Sequence, residues 1–231
     1  MQYCHQKGIC HRNLKLDNLL LDDNFQLKVS GFGFSTLLEG HFNSYLLTTR
    51  VGNEAYMAPE LIQGEVYHGA SVDIFACGMI LFAMLCRRTP FDKADKKFNV
   101  YYKLLAEKKF DKFWQVQEKE LAKSGNQMKF SPEFKDLING MLAHECTERF
   151  TLDAVKQHAW YNGPAALGIC LITELDNKLK IVQESKTAQD IEHQKAKELK
   201  SQLKQINQMN QNNFVGFRPF RSGADGTESV L

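Results

Sequence analysis

The longest apolar stretch in the chain, Ile74 to Cys86, limits most strongly the folds that it can adopt. The stretch has 13 residues, fewer than the roughly 20 that a helix needs to cross a bilayer, and Asp73 stands directly before it. A helix that is apolar on all sides must be buried, either in a membrane or in a protein core. The sequence therefore predicts a buried helix at the centre of a globular domain.

Composition and charge exclude several classes of function. The 231 residues suffice for one large domain with an appendage. A net charge of +2 gives no long-range attraction for nucleic acid or anionic lipid, so neither is expected as a partner. The six cysteines contain no CxxC pair, which disfavours a zinc ribbon or a disulfide framework. The residues after Met1 lack the apolar segment of a secretory signal, so we expect a cytoplasmic protein without a membrane anchor.

The first two thirds of the chain carry the patterns of a folded domain. A turn at residues 162–164, followed by a fall in apolar density, indicates the end of that domain. Before the turn, the order is a strand pair, a long loop and several helices. We predict β-strands at 19–22 and 26–29 and helices at about 71–86, 98–109, 131–142 and 151–158.

The residues beyond this boundary predict a helical tail. Leu175, Leu179 and Val182 are spaced by four and then three residues, and a second apolar cluster near residue 203 repeats this spacing out of phase. Polar residues interrupt the seam between the clusters, so a coiled coil and a single exposed or docked helix both remain open. We divide the chain into a domain at 1–163, a linker at 164–173, a helical or coiled-coil-like tail at 174–213 and a disordered Phe/Arg tail at 214–231.

A short motif near the start of the chain carries the most specific information. Residues 11–18 read HRNLKLDN, and a Gly-Phe-Gly turn follows at 31–33 after the predicted strand pair. This layout closely resembles the catalytic core of eukaryotic serine/threonine protein kinases, which have HRDLKxxN in the catalytic loop and DFG in the metal-binding turn. Further matches follow in family order: YMAPE at 56–60, SVDIFACG at 71–78, Pro90-Phe91 and TERFTLDAVKQHAW at 147–160.

The resemblance covers about residues 1–162 and is similar to the calmodulin-dependent and related branch of the kinases. It implies a mainly α, truncated protein-kinase-like fold, namely a large helical C-terminal lobe with a short β hairpin, followed by the helical tail. The N-terminal lobe is missing, because the glycine-rich loop, the strand lysine and its helix glutamate do not precede Met1. Within the lobe, the resemblance gives Glu60, Asp73 and Arg149 structural roles, with Glu60 paired to Arg149.

The chain departs from the kinase pattern at the positions that carry the chemistry. Asn13 replaces the catalytic aspartate, and an amide cannot accept a proton from a substrate hydroxyl. Gly31 replaces the aspartate of the metal-binding turn and offers no side-chain oxygen to Mg²⁺. Asn18 remains as a residual Mg²⁺ ligand and Lys15 as a phosphate contact, while Asn53 replaces a threonine of the activation segment. We expect no metal and no cofactor for this chain, and ATP with Mg²⁺ only for a full-length active form.

Two neighbouring residues of the motif have roles that the resemblance suggests. His11 is structural in the family, and we expect it to pack in the core and hold the turn. Arg12 pairs in relatives with a phosphorylated residue of the activation segment, for which Ser44, Thr48 and Thr49 are candidates here, although passive retention explains it equally well. The Cys4-His5 and Cys10-His11 pairs fit no usual zinc spacing.

Three functional hypotheses follow. The first is a catalytically inactive kinase-like domain, or pseudokinase, that binds protein partners through the lobe and through the helix at 174–213. The second is a partial sequence of a longer ATP-binding kinase that phosphorylates serine or threonine. The third is a degenerating fragment that does not fold alone, because the chain starts near the end of the helix that is the fifth in the kinase family, and the missing part of that helix should leave the central helix at 74–86 partly uncovered. The sequence predicts neither a substrate nor an oligomeric state.

Overall fold

The structure, a computed structural model, describes residues 1–37, 46–125, 127–165 and 169–214. It contains two compact units, residues 1–165 and residues 166–231. The first unit is the helical kinase-like lobe with short strands that the sequence predicts. Its helices are α1 (Gln2–Gln6), α2 (Pro59–Gln63), α3 (Gly69–Cys86), α4 (Val100–Ala106), α5 (Phe110–Lys123), α6 (Pro132–Met141) and α7 (Leu152–Gln157).

Within the described residues of this lobe, six short strands form three separate antiparallel pairs. Strands β2 (Leu19–Leu21) and β3 (Leu27–Val29) form the predicted hairpin, in the register Leu19 opposite Val29 and Leu21 opposite Leu27. The other strands flank the functional loops, since β1 (Ile9–Cys10) pairs with β4 (Thr36–Leu37) and β5 (Leu46–Leu47) pairs with β6 (Tyr67–His68). These two pairs therefore join segments that lie well apart in the chain.

The apolar run forms the central helix of the lobe, as predicted. Two thirds of α3 is buried, including Phe75, Met79 and Phe82, which are fully covered by the helices around them. By length and composition alone α3 would suffice to span a bilayer, and among the described residues it is the single helix that does so. Its burial within the lobe accounts for that composition without a membrane. On its far side Met84 is 66% exposed.

Helix α5 corrects the predicted helix pattern. The prediction placed one helix at 98–109 and none from 110 to 130, whereas α4 ends at Ala106 and α5 occupies Phe110–Lys123. The buried face of α5 includes Phe113, Trp114 and Gln117. Gln117 is a polar residue at a buried position. Its side-chain amide N–H donates to the Pro90 carbonyl at 2.9 Å, and its amide oxygen accepts from Arg88 at 2.7 Å. This buried polar residue interrupts the apolar periodicity from which the helix would have been recognised.

The second unit contains one long helix, α8 (Ile169–Phe214). It begins inside the segment 164–173 that we expected to be a linker, because Ile169 to Thr173 continue the helix without a turn residue. Several apolar side chains near its start are exposed, among them Ile172, Leu179 and Val182. The predicted Phe/Arg tail lies outside the described residues from position 215 onward.

Candidate active site

A buried carboxylate fixes the backbone of the loop that contains HRN. Asp73, in α3, is 1% exposed, and its two oxygens accept the backbone N–H groups of His11 and Arg12, each at 2.8 Å. The Nε2 atom of His5, in α1, lies 2.9 Å from Oδ2 of the same carboxylate. Hydrogen bonds to an ionised group are stronger than neutral ones, so Asp73 holds this loop against the central helix. The sequence pattern points to His5 only as part of a Cys-His pair, whereas in the structure its ring contacts Asp73.

His11 is fully buried and ties the loop to the base of the hairpin. Its Nε2 lies 2.8 Å from the Ser30 carbonyl, and its Nδ1 accepts the backbone N–H of Asn13 at 3.2 Å. These two partners assign the proton to Nε2, because one ring nitrogen must accept while the other donates. The ring also packs against Phe32 of the Gly-Phe-Gly turn, with centroids 4.6 Å apart. The structure thus places His11 in the core, in contact with both functional loops.

Arg12 adopts a left-handed backbone conformation, with φ at 62°. Nε donates to the Phe34 carbonyl at 2.7 Å, and Nη1 donates to the Tyr67 hydroxyl at 3.2 Å. Tyr67 in turn donates to the Thr49 carbonyl at 2.8 Å. Arg12 therefore reaches the segment of Thr48 and Thr49 through one intervening side chain, whereas Ser44 lies outside the described residues.

Asn13 stands where the catalytic base of a kinase would be. It lines a cavity of about 10 Å³, together with Asn53, Tyr56 and the buried Asp73. A space of this size holds about one water molecule. The nitrogen lone pair of the Asn13 amide is delocalised into the carbonyl, and the amide oxygen is too weakly basic to take a proton from a substrate hydroxyl. An amide at this position is therefore unsuited to general base catalysis.

The Asn18 side chain occupies the space that an aspartate side chain at position 31 would need. Gly31 has φ at 83°, in the left-handed region, and a Cβ atom built there would overlap the Asn18 amide, with Oδ1 only 2.6 Å away. Asn18 is held in this position because its Nδ2 donates to the Asn13 carbonyl at 2.7 Å. The side chain of Asn18 thus packs against the turn at position 31. Glycine leaves room for it there because glycine has no Cβ atom.

The remaining polar positions of the motif are engaged with the protein itself. Lys15 lies 3.4 Å from the Asp17 carboxylate, which is mostly exposed. Asn53 caps a short 3₁₀ turn, since its Oδ1 accepts the N–H of Ala55 at 3.0 Å. Gly52, before it, has φ at 111° and lies against the Arg12 carbonyl, so closely that a Cβ atom would clash with that oxygen. Asn53 therefore stabilises its own turn, and Gly52 permits the close approach of the activation segment to the catalytic loop.

The structure forms the Glu60–Arg149 ion pair that the resemblance implies. The Arg149 guanidinium donates to both Glu60 oxygens, at 2.7 Å and 3.0 Å, and its side chain is wholly buried. It also donates to the carbonyls of Ala143 and Ser71, at 3.1–3.2 Å, and lies 5.1 Å from the centre of the Phe75 ring. Every polar edge of the guanidinium is satisfied, as a buried charge requires.

Metal coordination has little support within the described parts of the chain. No group of three or more His, Cys, Asp or Glu residues comes together in residues 1–37, 46–125, 127–165 and 169–214. Among the motif positions, the Asn18 amide oxygen could serve as one oxygen ligand for Mg²⁺, which prefers six in near-octahedral geometry. Burial, followed by the charge of Asp73, raises the pKa of the Cys10 thiol to about 11, which keeps it protonated and unsuited to bind zinc.

Comparison with known proteins agrees with the motifs. The protein kinase domain profile matches residues 1–161. The chain belongs to the eukaryotic serine/threonine protein kinase family. This kinase-family chain is 36% identical to CBL-interacting protein kinase 28 of rice, over 72% of its own length and 35% of the relative. It is 35% identical to the serine/threonine-protein kinase chk1 of fission yeast, over 78% of itself and 36% of that protein.

A third relative, the carbon catabolite-derepressing protein kinase of Candida glabrata, is 36% identical over 70% of the chain and 23% of the relative. The chain thus spans about a third or less of the length of these curated relatives. The similarity to CBL-interacting kinases agrees with the calmodulin-dependent and related branch suggested by the motifs.

Proposed function

We propose that this kinase-family chain is catalytically inactive and acts as a protein-binding module. The observation that carries the proposal is the joint replacement of both catalytic aspartates, Asn13 for the base and Gly31 for the metal ligand. The geometry supports it further, since Asn18 fills the space beside Gly31 and donates its amide to Asn13.

The chemistry of phosphoryl transfer makes these two positions decisive. Transfer of a γ-phosphoryl group relies on positioning and on neutralising charge, with metal ions that bridge the phosphates. Loss of a general base alone typically lowers the rate by about 10²–10⁴. The side chains left at the site, Lys15 and Asn18, offer one cation and one amide oxygen. They are too few to clamp a nucleotide with its metal.

Apolar surface on the lobe supports a binding role. Phe98 and Val100, at the start of α4, are 85% and 72% exposed, and Tyr101 beside them is also exposed. Exposed apolar side chains close together commonly mark protein-binding surfaces. The name of the CBL-interacting kinases records a protein partner for those relatives. For this chain we propose only that its ligand is also a protein. We place the protein in the cytoplasm, without nucleic-acid or membrane partners, and regard α8 as a second contact element.

Binding of Mg²⁺·ATP tests the proposal directly. We expect the thermal unfolding midpoint of the full chain to stay unchanged when Mg²⁺·ATP is added, and the Asn18→Ala variant to behave in the same way. A midpoint that rises with Mg²⁺·ATP in the parent chain, and rises less in Asn18→Ala, would show an intact metal–nucleotide site. That result would contradict the proposal that the chain is inactive, because the proposal requires that the site cannot hold a nucleotide with its metal.

A second candidate is that the chain belongs to a longer ATP-binding serine/threonine kinase. The hairpin favours it, because Leu20, Leu21 and Leu27 are between 50% and 59% exposed on β2 and β3. Exposed apolar side chains on such short strands are expected to lie against further protein, and an N-terminal lobe would supply it. Sequencing of the transcript upstream of Met1 decides the question: an in-frame N-terminal lobe supports this candidate, and an in-frame stop codon close to Met1 removes it.

A further inference from the structure

A second cavity of the lobe has none of the residues that line the Asn13 cavity. It measures about 450 Å³, within the range of pockets that hold small molecules, and it opens to solvent on one side. Four parts of residues 1–165 form its walls: α1, the β5–β6 pair, the first turns of α3 and the segment that leads into α7. The lining includes His5, Leu46, His68, Ile74, Phe150 and Leu152.

The charged groups of this cavity are already paired. Arg149 faces it but donates to both oxygens of Glu60, and its side chain is wholly buried. His5 lies 2.9 Å from the carboxylate of Asp73. A charged ligand would have to leave water without gaining a free counter-charge among these groups, which is costly. The cavity therefore favours an uncharged occupant.

Hydroxyl groups at one edge supply polar contacts to such an occupant. The Ser71 hydroxyl accepts from Arg149 at 3.1 Å, and the Thr151 hydroxyl accepts the N–H of Ala154 at 3.2 Å. Each hydroxyl is an acceptor in these bonds and still carries its own hydrogen. Thr147, at the rim, adds a third hydroxyl. An oxygen acceptor on a ligand would satisfy these donors, while Ile74 and Leu152 line the apolar interior.

We propose that this cavity is a binding site for an uncharged, mainly hydrocarbon small molecule that carries one oxygen acceptor. Such a ligand would contact His5, which bonds the carboxylate that holds the HRN loop, and Leu46, in strand β5 of the activation segment. Binding would therefore link α1, β5 and α3. The site lies outside the nucleotide region, and its existence does not depend on whether the lobe is active.

Three probes of equal chain length separate this proposal from general hydrophobic binding. Decan-1-ol, decanoate and decylammonium are added to the full chain, and the rate at which iodoacetamide alkylates Cys146, at the rim of the cavity, is followed by mass spectrometry. We expect decan-1-ol to slow alkylation and to raise the thermal unfolding midpoint. At about nine times its dissociation constant the rate should fall about tenfold, because only the unoccupied fraction reacts. The two ions should have much smaller effects at equal concentration.

Matched variants locate the binding. Thr147→Trp places an indole at the rim and should abolish the effect of decan-1-ol, whereas Glu145→Trp, on the same loop but outside the lining, should leave it intact. If Thr147→Trp unfolds, Cys146→Phe with the unfolding midpoint as readout takes its place. Equal effects of all three probes, protection that survives blocking of the rim, or no effect of decan-1-ol up to its solubility limit would each overturn the proposal.

Discussion

Replacement of Gly31 by alanine measures how tightly the metal turn is closed around Asn18. Gly31 has φ at 83°, a region that costs an L-residue about 1–2 kcal/mol. The new Cβ would also overlap the Asn18 amide, which must then rotate away and give up its 2.7 Å bond to the Asn13 carbonyl. Loss of such a bond costs about 1 kcal/mol. We therefore expect Gly31→Ala to lower the free energy of unfolding by about 2–3 kcal/mol.

Gly8 supplies a matched control for the backbone part of this cost. Its φ is 70°, close to that of Gly31, but a Cβ atom there would meet nothing within 4 Å. Gly8→Ala and Gly31→Ala share the left-handed strain and the loss of chain entropy in the unfolded state. The difference between them therefore isolates the contact with Asn18, and we expect it to be about 1 kcal/mol.

Urea denaturation of four proteins completes the test: the parent, Gly31→Ala, Asn18→Ala and the double variant. Once Asn18 is truncated, the clash is gone, and Gly31→Ala should cost no more than Gly8→Ala. The reasoning is refuted if Gly31→Ala and Gly8→Ala cost the same in the parent background, or if truncation of Asn18 leaves the cost of Gly31→Ala unchanged. Either result would mean that Asn18 does not fill the turn.

Two further predictions concern the stability of the lobe. Glu60→Gln should cost about 3–5 kcal/mol in urea denaturation, because Arg149 stays buried and charged; a loss below about 1 kcal/mol would contradict the buried pair. Burial raises the pKa of Cys10 to about 11, so the native state favours the neutral thiol. This contribution to stability is full below about pH 9 and is lost as the pH rises towards 11. Between pH 8 and 11 the parent should therefore lose about 2 kcal/mol more than Cys10→Ala, and equal losses would contradict this.

Much of the fold follows from sequence pattern, and the exceptions have physical causes. The central helix is predictable because it is one uninterrupted apolar run, and the hairpin because two short β-like runs follow each other closely in the chain. Helix α5 was not, because Gln117 is buried by virtue of specific hydrogen bonds to Pro90 and Arg88 rather than by its own hydrophobicity. The fall in apolar density predicts a linker at 164–173, whereas α8 begins at Ile169, because a helix with exposed sides needs no high apolar density.

The site divides in a similar way. The identities of Asn13 and Gly31 carry the chemical argument, and they could be read directly from the motif. Their surroundings could not, because they depend on contacts between distant segments. Examples are the overlap of Asn18 with the space beside Gly31 and the approach of His5 to Asp73, 68 residues apart in the chain.

These contacts also change how a restoration experiment must be designed. Return of aspartate to positions 13 and 31 supplies the missing oxygens, but a side chain at 31 must displace Asn18 from its bond with the Asn13 carbonyl. Recovered phosphoryl transfer in a chain joined to an N-terminal lobe would show that these two positions were the chemical defect. A failed recovery would direct attention to the packing of the turn.

Phosphoryl transfer by the polypeptide isolated at its native length from its own cells tests the central claim most directly. With Mg²⁺·ATP and a generic serine/threonine substrate, we predict that labelled phosphate incorporation equals that of the Asn13→Ala variant and of buffer alone. Sustained transfer by the parent protein that disappears in Asn13→Ala would contradict the account, since Asn13 would then support the chemistry that its amide is argued to prevent.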